Sequence, residues 1–263
     1  MQKEAEKFVD SSIMEGMFSI RAILKATEDG INDRKIEKIL FDSEKKKSKA
    51  RELSYLRAKS YELGFAIEFT DAETLDSMTI GNSHGGIVAL CTDRTIGKIE
   101  DMNIRENGFY VMLEGIEDPY NFGYCLRSLY AAGVDGILVG ERNWFSAAGV
   151  VCRASAGASE LFEIAAGDPA ALIDVFHEKG YTVIAADKTD DAVPVYDTTV
   201  TSPVLLVVGG EKRGITRTVL EKCDKVVSLD YGRRFGAALS AASAASILAF
   251  EIYRQNRNGE DNA

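Results

Sequence analysis

Apolar positions in the first third of the chain alternate between helical and strand-like spacing. Ile13, Met17, Ile20 and Leu24 recur every three or four residues and predict a helix over residues 1–26. Lys38–Phe41 and Phe65–Phe69 are short runs of strand length, and between them Lys46–Leu63 predicts a helix that stops before Gly64. Thr70-Asp71-Ala72-Glu73 has the form of a capping box and predicts a further short helix. His84-Gly85-Gly86 then leads into a strand over Ile87–Cys91, with His84 read as a turn residue. Residues 1–92 therefore read as a small α/β domain. Residues 93–107 are polar with no sustained period and read as a linker.

From residue 108 strands and helices alternate. A strand over Phe109–Leu113 is stopped by Asp118-Pro119; Asn121 is placed to cap a helix that runs to Ala132, before Gly133. Strands follow at Gly136–Val139, Tyr181–Ala186, Val204–Val208 and Val226–Leu229, with a helix from Asp168-Pro169 to Gly180. A final helix rich in Ala and Ser begins near Leu239. This alternation predicts a parallel sheet with helices on both faces over residues 108–257. Residues 258–263 read as a flexible tail.

Composition narrows the class without naming a function. The 263 residues are 46% hydrophobic and 27% charged, as in a globular protein, and no apolar run has the length of a membrane span. Cys91, Cys125, Cys152 and Cys223 lie far apart, and the chain has only two His. That pattern argues against a disulfide framework and a structural metal site, and for a reducing cytoplasm; the N-terminus lacks a signal-peptide core. The net charge of −10 counts against a nucleic-acid partner, yet residues 1–60 carry 14 basic side chains against 11 acidic ones. The densest basic run is Lys45-Lys46-Lys47 with Lys49, for which a solvated face is the plainer reading.

The chemistry concentrates in three segments. The strand Pro203–Val208 breaks at Gly209-Gly210-Glu211, giving Gly209-x-Glu211-x-x-Gly214; such a loop lets backbone groups face a ligand directly. Upstream lie Asp118-Pro119-x-Asn121-x-Gly123-x-x-x-Arg127 and Arg153-Ala154-Ser155-Ala156-Gly157-Ala158. In this order and spacing the segments resemble the SpoU/TrmH family of RNA ribose 2′-O-methyltransferases, part of the SPOUT superfamily, over about residues 108–255. Met14-Glu15-Gly16…Ile20 and His84-Gly85-Gly86-Ile87-Val88-Ala89 resemble the ends of the L30e-like domain that precedes many of these enzymes.

The resemblance implies an L30e-like RNA-binding domain in front of an α/β domain with a deep trefoil knot, pairing as a homodimer through the C-terminal domain. It implies S-adenosylmethionine as cofactor, no metal, and ribosomal or transfer RNA as partner and substrate. Gly209, Gly214, Leu229 and Leu239 become cofactor-contact candidates. Arg127, Asn121 and Glu211 become catalytic candidates: Arg127 to orient the 2′-hydroxyl, Asn121 to fix Arg127 or the acceptor ribose, Glu211 to hold Arg127 or the loop. Taken singly, Asn121 reads as a helix cap, Arg127 as an ion-paired helix arginine and Glu211 as a surface carboxylate.

The chain departs from the family where Ala238-Leu239-Ser240 stands for Ser-Leu-Asn, and Leu229-Asp230-Tyr231 for Ile-Pro-Met. The loop after this point is one residue longer and carries Arg233 and Arg234, for which phosphate contact and a solvated turn are equal readings. A non-catalytic RNA-binding or assembly protein that keeps the knotted fold is the alternative these departures motivate. A nucleotide enzyme using Gly209-Gly210-Glu211 as a phosphate loop ranks last, because the segment lacks both the Lys-Ser/Thr ending and the G-x-G-x-x-G form.

Overall fold

A computed structural model describes residues 12–80, 84–140 and 147–257. Residues 1–11 of the expected first helix and the expected tail lie outside the described residues. The chain divides into two compact units, the first formed by Met1–Thr95 with Trp144–Leu161, the second by Ile96–Asn143 with Phe162–Ala263. No helix among the described residues is long and apolar enough to cross a membrane.

The chain opens with β1 (Ile13–Glu15) and α1 (Gly16–Asp29), then β2 (Ile36–Asp42), α2 (Ala50–Leu63), β3 (Ala66–Thr70), α3 (Ala72–Met78) and β4 (Ile87–Cys91). The strands form one sheet in the order β1-β4-β2-β3, in which only β2 and β3 run parallel. α1 buries Ile20, Ile23 and Leu24, and ends at Gly30, whose φ of 69° is the left-handed C-terminal stop that glycine accepts without strain. The helix expected over Lys46–Leu63 starts later, at Ala50, after a turn of 3-10 helix at Ser43–Lys45. The cap of α3 is Asp71, whose carboxylate accepts from the Thr74 amide at 2.7 Å, rather than Thr70. An aspartate one residue nearer the helix is the better acceptor, and the amide bond holds its carboxyl below the usual range.

The second unit opens with β5 (Phe109–Glu114), α4 (Pro119–Ala131) and β6 (Gly136–Val139). The chain then returns to the first unit through α5 (Ala148–Ala154). Ala148 and Cys152 enter the core of that unit beside Met14, Ile23, Leu24 and Leu56. A Cβ on Gly157 would come 2.5 Å from the Ala22 methyl and 3.0 Å from the Phe18 carbonyl, so α1 and this segment pack backbone to backbone. The Arg34 and Glu160 side chains, 2% and 3% exposed, pair at 3.0 Å. Arg34 also donates to the Thr92 carbonyl, and Glu160 accepts from the Ser159 hydroxyl. The expected division into 1–92, 93–107 and 108–257 does not anticipate this return.

The remainder of the second unit is β7 (Glu163–Ala166), α6 (Pro169–Glu178), β8 (Thr182–Ala186), β9 (Val193–Pro194), β10 (Val204–Gly209), α7 (Arg217–Leu220), β11 (Lys225–Ser228) and α8 (Ala241–Asn256). Its seven strands are all parallel, in the order β7-β6-β5-β10-β8-β11-β9. The central strands are continuous apolar runs because both faces are covered: every residue of β5 is buried, and of β10 all but the last. Residues 99–104 belong to this core. Ile99, Met102 and Ile104 pack against it, and the Tyr110 and Tyr181 hydroxyls donate to the Asn103 and Arg105 carbonyls. A polar composition conceals this packing, since tyrosines elsewhere in the chain satisfy the backbone of residues 103–105.

Candidate active site

Parallel strands place all their carboxyl ends on one edge of a sheet, where the loops that follow can converge on a ligand. Here Gly209 of β10 aligns with Glu114 of β5, and Val208 with Ala186 of β8, which in turn pairs with Val227 of β11. The loops after β8, β10 and β11 enclose a cleft of about 350 Å³ at this edge. Gly209, Glu211, Gly214, Leu229 and Leu239 all line it.

The glycines are there because backbone fills the space a side chain would need. A Cβ on Gly209 would stand 2.6 Å from the Ile215 nitrogen, and one on Gly210 would collide with the Gly115 carbonyl oxygen. Gly214 adopts a φ of 63° and its amide donates to the Gly210 carbonyl at 2.9 Å, closing the loop on itself. The far end of the loop is held by Glu114, a buried carboxylate at the end of β5 that accepts from the Thr216 hydroxyl at 2.8 Å and the Thr216 amide at 3.2 Å. Glu114 was not singled out from the sequence; its signal is a carboxylate ending an otherwise apolar strand.

Asn121 does not cap α4. Asp118 does so, accepting from the Tyr120 amide at 3.1 Å with Pro119 at the first helical position. Asn121, in the first turn, is thereby released, and its side-chain amide donates to Glu211 Oε1 at 2.9 Å. The same oxygen accepts from the Ala241 amide at 2.9 Å, so Glu211 ties α4 to the start of α8. The N-cap of α8 is Ser240, whose hydroxyl accepts from the Ser243 amide at 3.2 Å. Serine thus caps the helix at the position where the family has asparagine, and Ala238 leaves the cleft wall without a hydroxyl at its own.

Arg127 is exposed on α4 and makes no hydrogen bond or ion pair among the described residues. It does not line the cleft. The thiols nearby are poor nucleophiles: burial, then the Glu211 carboxylate, pushes Cys125 up to about 12, and burial, then Asp224, does the same for Cys223. Among the described residues no group of three His, Cys, Asp or Glu could hold a metal ion. Sequence reasoning missed Asp187, Lys188, Tyr231 and Phe235, which also line the cleft. They come from loops with no periodic signal.

Residues 108–250 match the SpoU rRNA methylase family, and residues 13–96 match the RNA 2′-O ribose methyltransferase substrate-binding domain. A 23S rRNA (guanosine-2′-O-)-methyltransferase, RlmB, of Shewanella oneidensis is 30% identical over 209 residues, 77% of this chain and 82% of that protein. Among solved structures, an RNA 2′-O ribose methyltransferase superposes with a TM-score of 0.74 at 21% identity, over 97% of this chain and 95% of the other. The SpoU methyltransferase AviRb of Streptomyces viridochromogenes, solved in complex with AdoMet, gives 0.73 at 22% identity, over 94% and 90%. The same kind of α/β fold with a parallel sheet is therefore present here. By sequence, the chain belongs to the SpoU rRNA methylase family, as an RNA methyltransferase.

Proposed function

We propose that this chain transfers the methyl group of S-adenosylmethionine to a ribose 2′-hydroxyl of RNA, with ribosomal RNA as the substrate class. The observation that carries this reading is the meeting of Gly209, Gly214, Leu229, Leu239 and Glu211 on one cleft at the carboxyl edge of the sheet. The cleft fits the cofactor: its volume lies within the range of small-molecule sites, and its lining joins main chain at Gly209, Gly210 and Gly214 to the apolar side chains of Leu229, Leu239 and Leu248. Bound there, S-adenosylmethionine supplies an electrophilic methyl group.

The task left to the protein is alignment of the acceptor oxygen with that methyl group. Glu211 is an acceptor only, so the Asn121 amide must present its nitrogen to it, which leaves Asn121 Oδ1 to accept from the ribose hydroxyl. Arg127 is permanently protonated and cannot be the base; it orients the hydroxyl and stabilises the charge that develops on its oxygen, while the proton leaves to solvent. Glu211 acts through Asn121 and the start of α8 as a positioning residue.

The trefoil knot is supported by the family match. The L30e-like RNA-binding role of the first unit is supported by the substrate-binding match over 13–96. Homodimerisation through the second unit is supported by α4 and α8, which leave Tyr124, Phe250 and Tyr253 nearly half exposed. A cytoplasmic setting is supported by four free cysteines. For the non-catalytic alternative, motivated by Ala238, Ser240 and the net charge of −10, Ser240 carries less weight because it still caps α8.

Transfer of radiolabel from S-adenosylmethionine to unmodified ribosomal RNA tests the proposal. Arg127→Ala should lower the rate about 100-fold or more and leave cofactor binding, measured by calorimetry, unchanged. Absence of transfer by the wild type to both ribosomal and transfer RNA would sink it.

A further inference from the structure

The loop between β11 and α8 runs Tyr231-Gly232-Arg233-Arg234-Phe235-Gly236, with aromatic and cationic residues interleaved. Tyr231 anchors it: its hydroxyl accepts from the Leu239 amide at 3.2 Å, and the Lys188 ammonium stands 5.5 Å from its ring centroid. The Phe235 ring leans on that anchor at 6.2 Å, tilted by 53°, and remains 56% exposed at the wall of the cleft. A Cβ on Gly232 or Gly236 would meet nothing within 4 Å, so neither glycine is demanded by packing and both keep the loop slender.

The charges of this loop differ from their neighbours. Lys212 and Arg213 on the preceding loop face Glu117 at 2.6 Å and 3.8 Å, and Arg217 pairs with Glu221 at 2.7 Å. Arg233 and Arg234 are exposed and have no ion pair or hydrogen bond among the described residues. In a chain of net charge −10, two uncompensated guanidinium groups beside an exposed ring at the cleft are an anion-binding arrangement with an aromatic platform. A phosphodiester chain with unstacked bases has the complementary chemistry: phosphates for the arginines and a π-face for the ring.

We propose that this loop grips single-stranded RNA at the cleft, with Phe235 stacking on a base beside the acceptor ribose and Arg233 and Arg234 holding adjacent phosphates. The inference deepens the proposed function and rests on it for the location of the acceptor. The arginines are separable from cofactor binding, because neither lines the cleft, whereas Phe235 shares its wall with Gly209, Gly214, Leu229 and Leu239.

A short fluorescein-labelled single-stranded RNA, titrated by anisotropy without cofactor, tests it in the full chain. Phe235→Ala should weaken RNA binding roughly tenfold and Phe235→Tyr should restore it, both read with no cofactor present. The double variant Arg233→Gln/Arg234→Gln should lower the slope of log affinity against log salt by about 1.4, or roughly 0.7 per phosphate. Unchanged RNA affinity in Phe235→Ala, or lost cofactor affinity with RNA binding intact, would overturn the proposal; the second result would assign the ring to the cofactor. An unchanged salt slope would remove the arginines from the contact. A wild type that binds RNA in this way but transfers no methyl group would instead defeat the proposed reaction.

Discussion

Two segments that resemble family signatures, Gly209–Gly214 and Arg153–Ala158, serve different ends. In each, small residues permit an approach that a side chain would block: Gly209 to the Ile215 nitrogen, Gly157 to the Ala22 methyl. Around Gly209 the approach shapes one wall of a cleft. Around Gly157 the neighbouring atoms belong to α1, and Arg153 reaches the Glu15 carboxylate at 3.0 Å. The first segment builds a site, and the second binds a returning stretch of chain into the first unit. A recurrent motif therefore marks a geometric requirement, which only its surroundings translate into chemistry or packing.

The sharpest way to break that contrast is at Glu160, in the returning stretch. Glu160→Ala leaves Arg34 buried without its counter-charge and should destabilise the first unit by about 3–5 kcal/mol. Urea unfolding would read the loss, with faster hydrogen exchange in α1 and α5, while affinity for S-adenosylmethionine stays at the wild-type value. Weakened cofactor binding with no loss of stability would reverse the roles given to the two segments.

Gly209→Val probes the other side. The branched side chain has to displace the Gly214–Ile215 backbone, at a cost of about 1–3 kcal/mol, and calorimetry should detect no saturable cofactor binding. Wild-type affinity would remove Gly209 from the cofactor site. The smallest effect is expected at Ser240. Ser240→Ala removes the cap of α8 and should cost about 1 kcal/mol, whereas Ser240→Asn should match or exceed the wild type. An unstable asparagine variant would show that serine is needed for something other than capping.

Much of the second unit was legible because its elements are long, apolar and separated by strong breaks. The expected strands at Gly136–Val139 and Val204–Val208 match β6 and β10 to within a residue, since buried parallel strands are continuous apolar runs. The helix expected at Asp168-Pro169 begins there, capped by Asp168. The sequence puts the cap of α4 one turn late, at Asn121, because Asp118 and Asn121 are both competent cap residues and local grammar does not rank them. What distinguishes them is Glu211, ninety positions away, which takes the Asn121 amide. The missed members of the cleft, Lys188, Tyr231 and Phe235, sit in irregular loops where periodicity carries no information.

Taken alone, the sequence determined the class of fold, the order of elements and the small residues that backbone crowding demands, because each is written in local spacing and in side-chain size. Tertiary structure alone decided that Glu211 joins Asn121 to the start of α8, that Glu114 clamps Thr216, and that residues near Cys152 return to the first unit. These depend on which atoms meet across long stretches of chain, and a hydrogen bond or a buried charge pair exists only where both partners have been brought to about 3 Å.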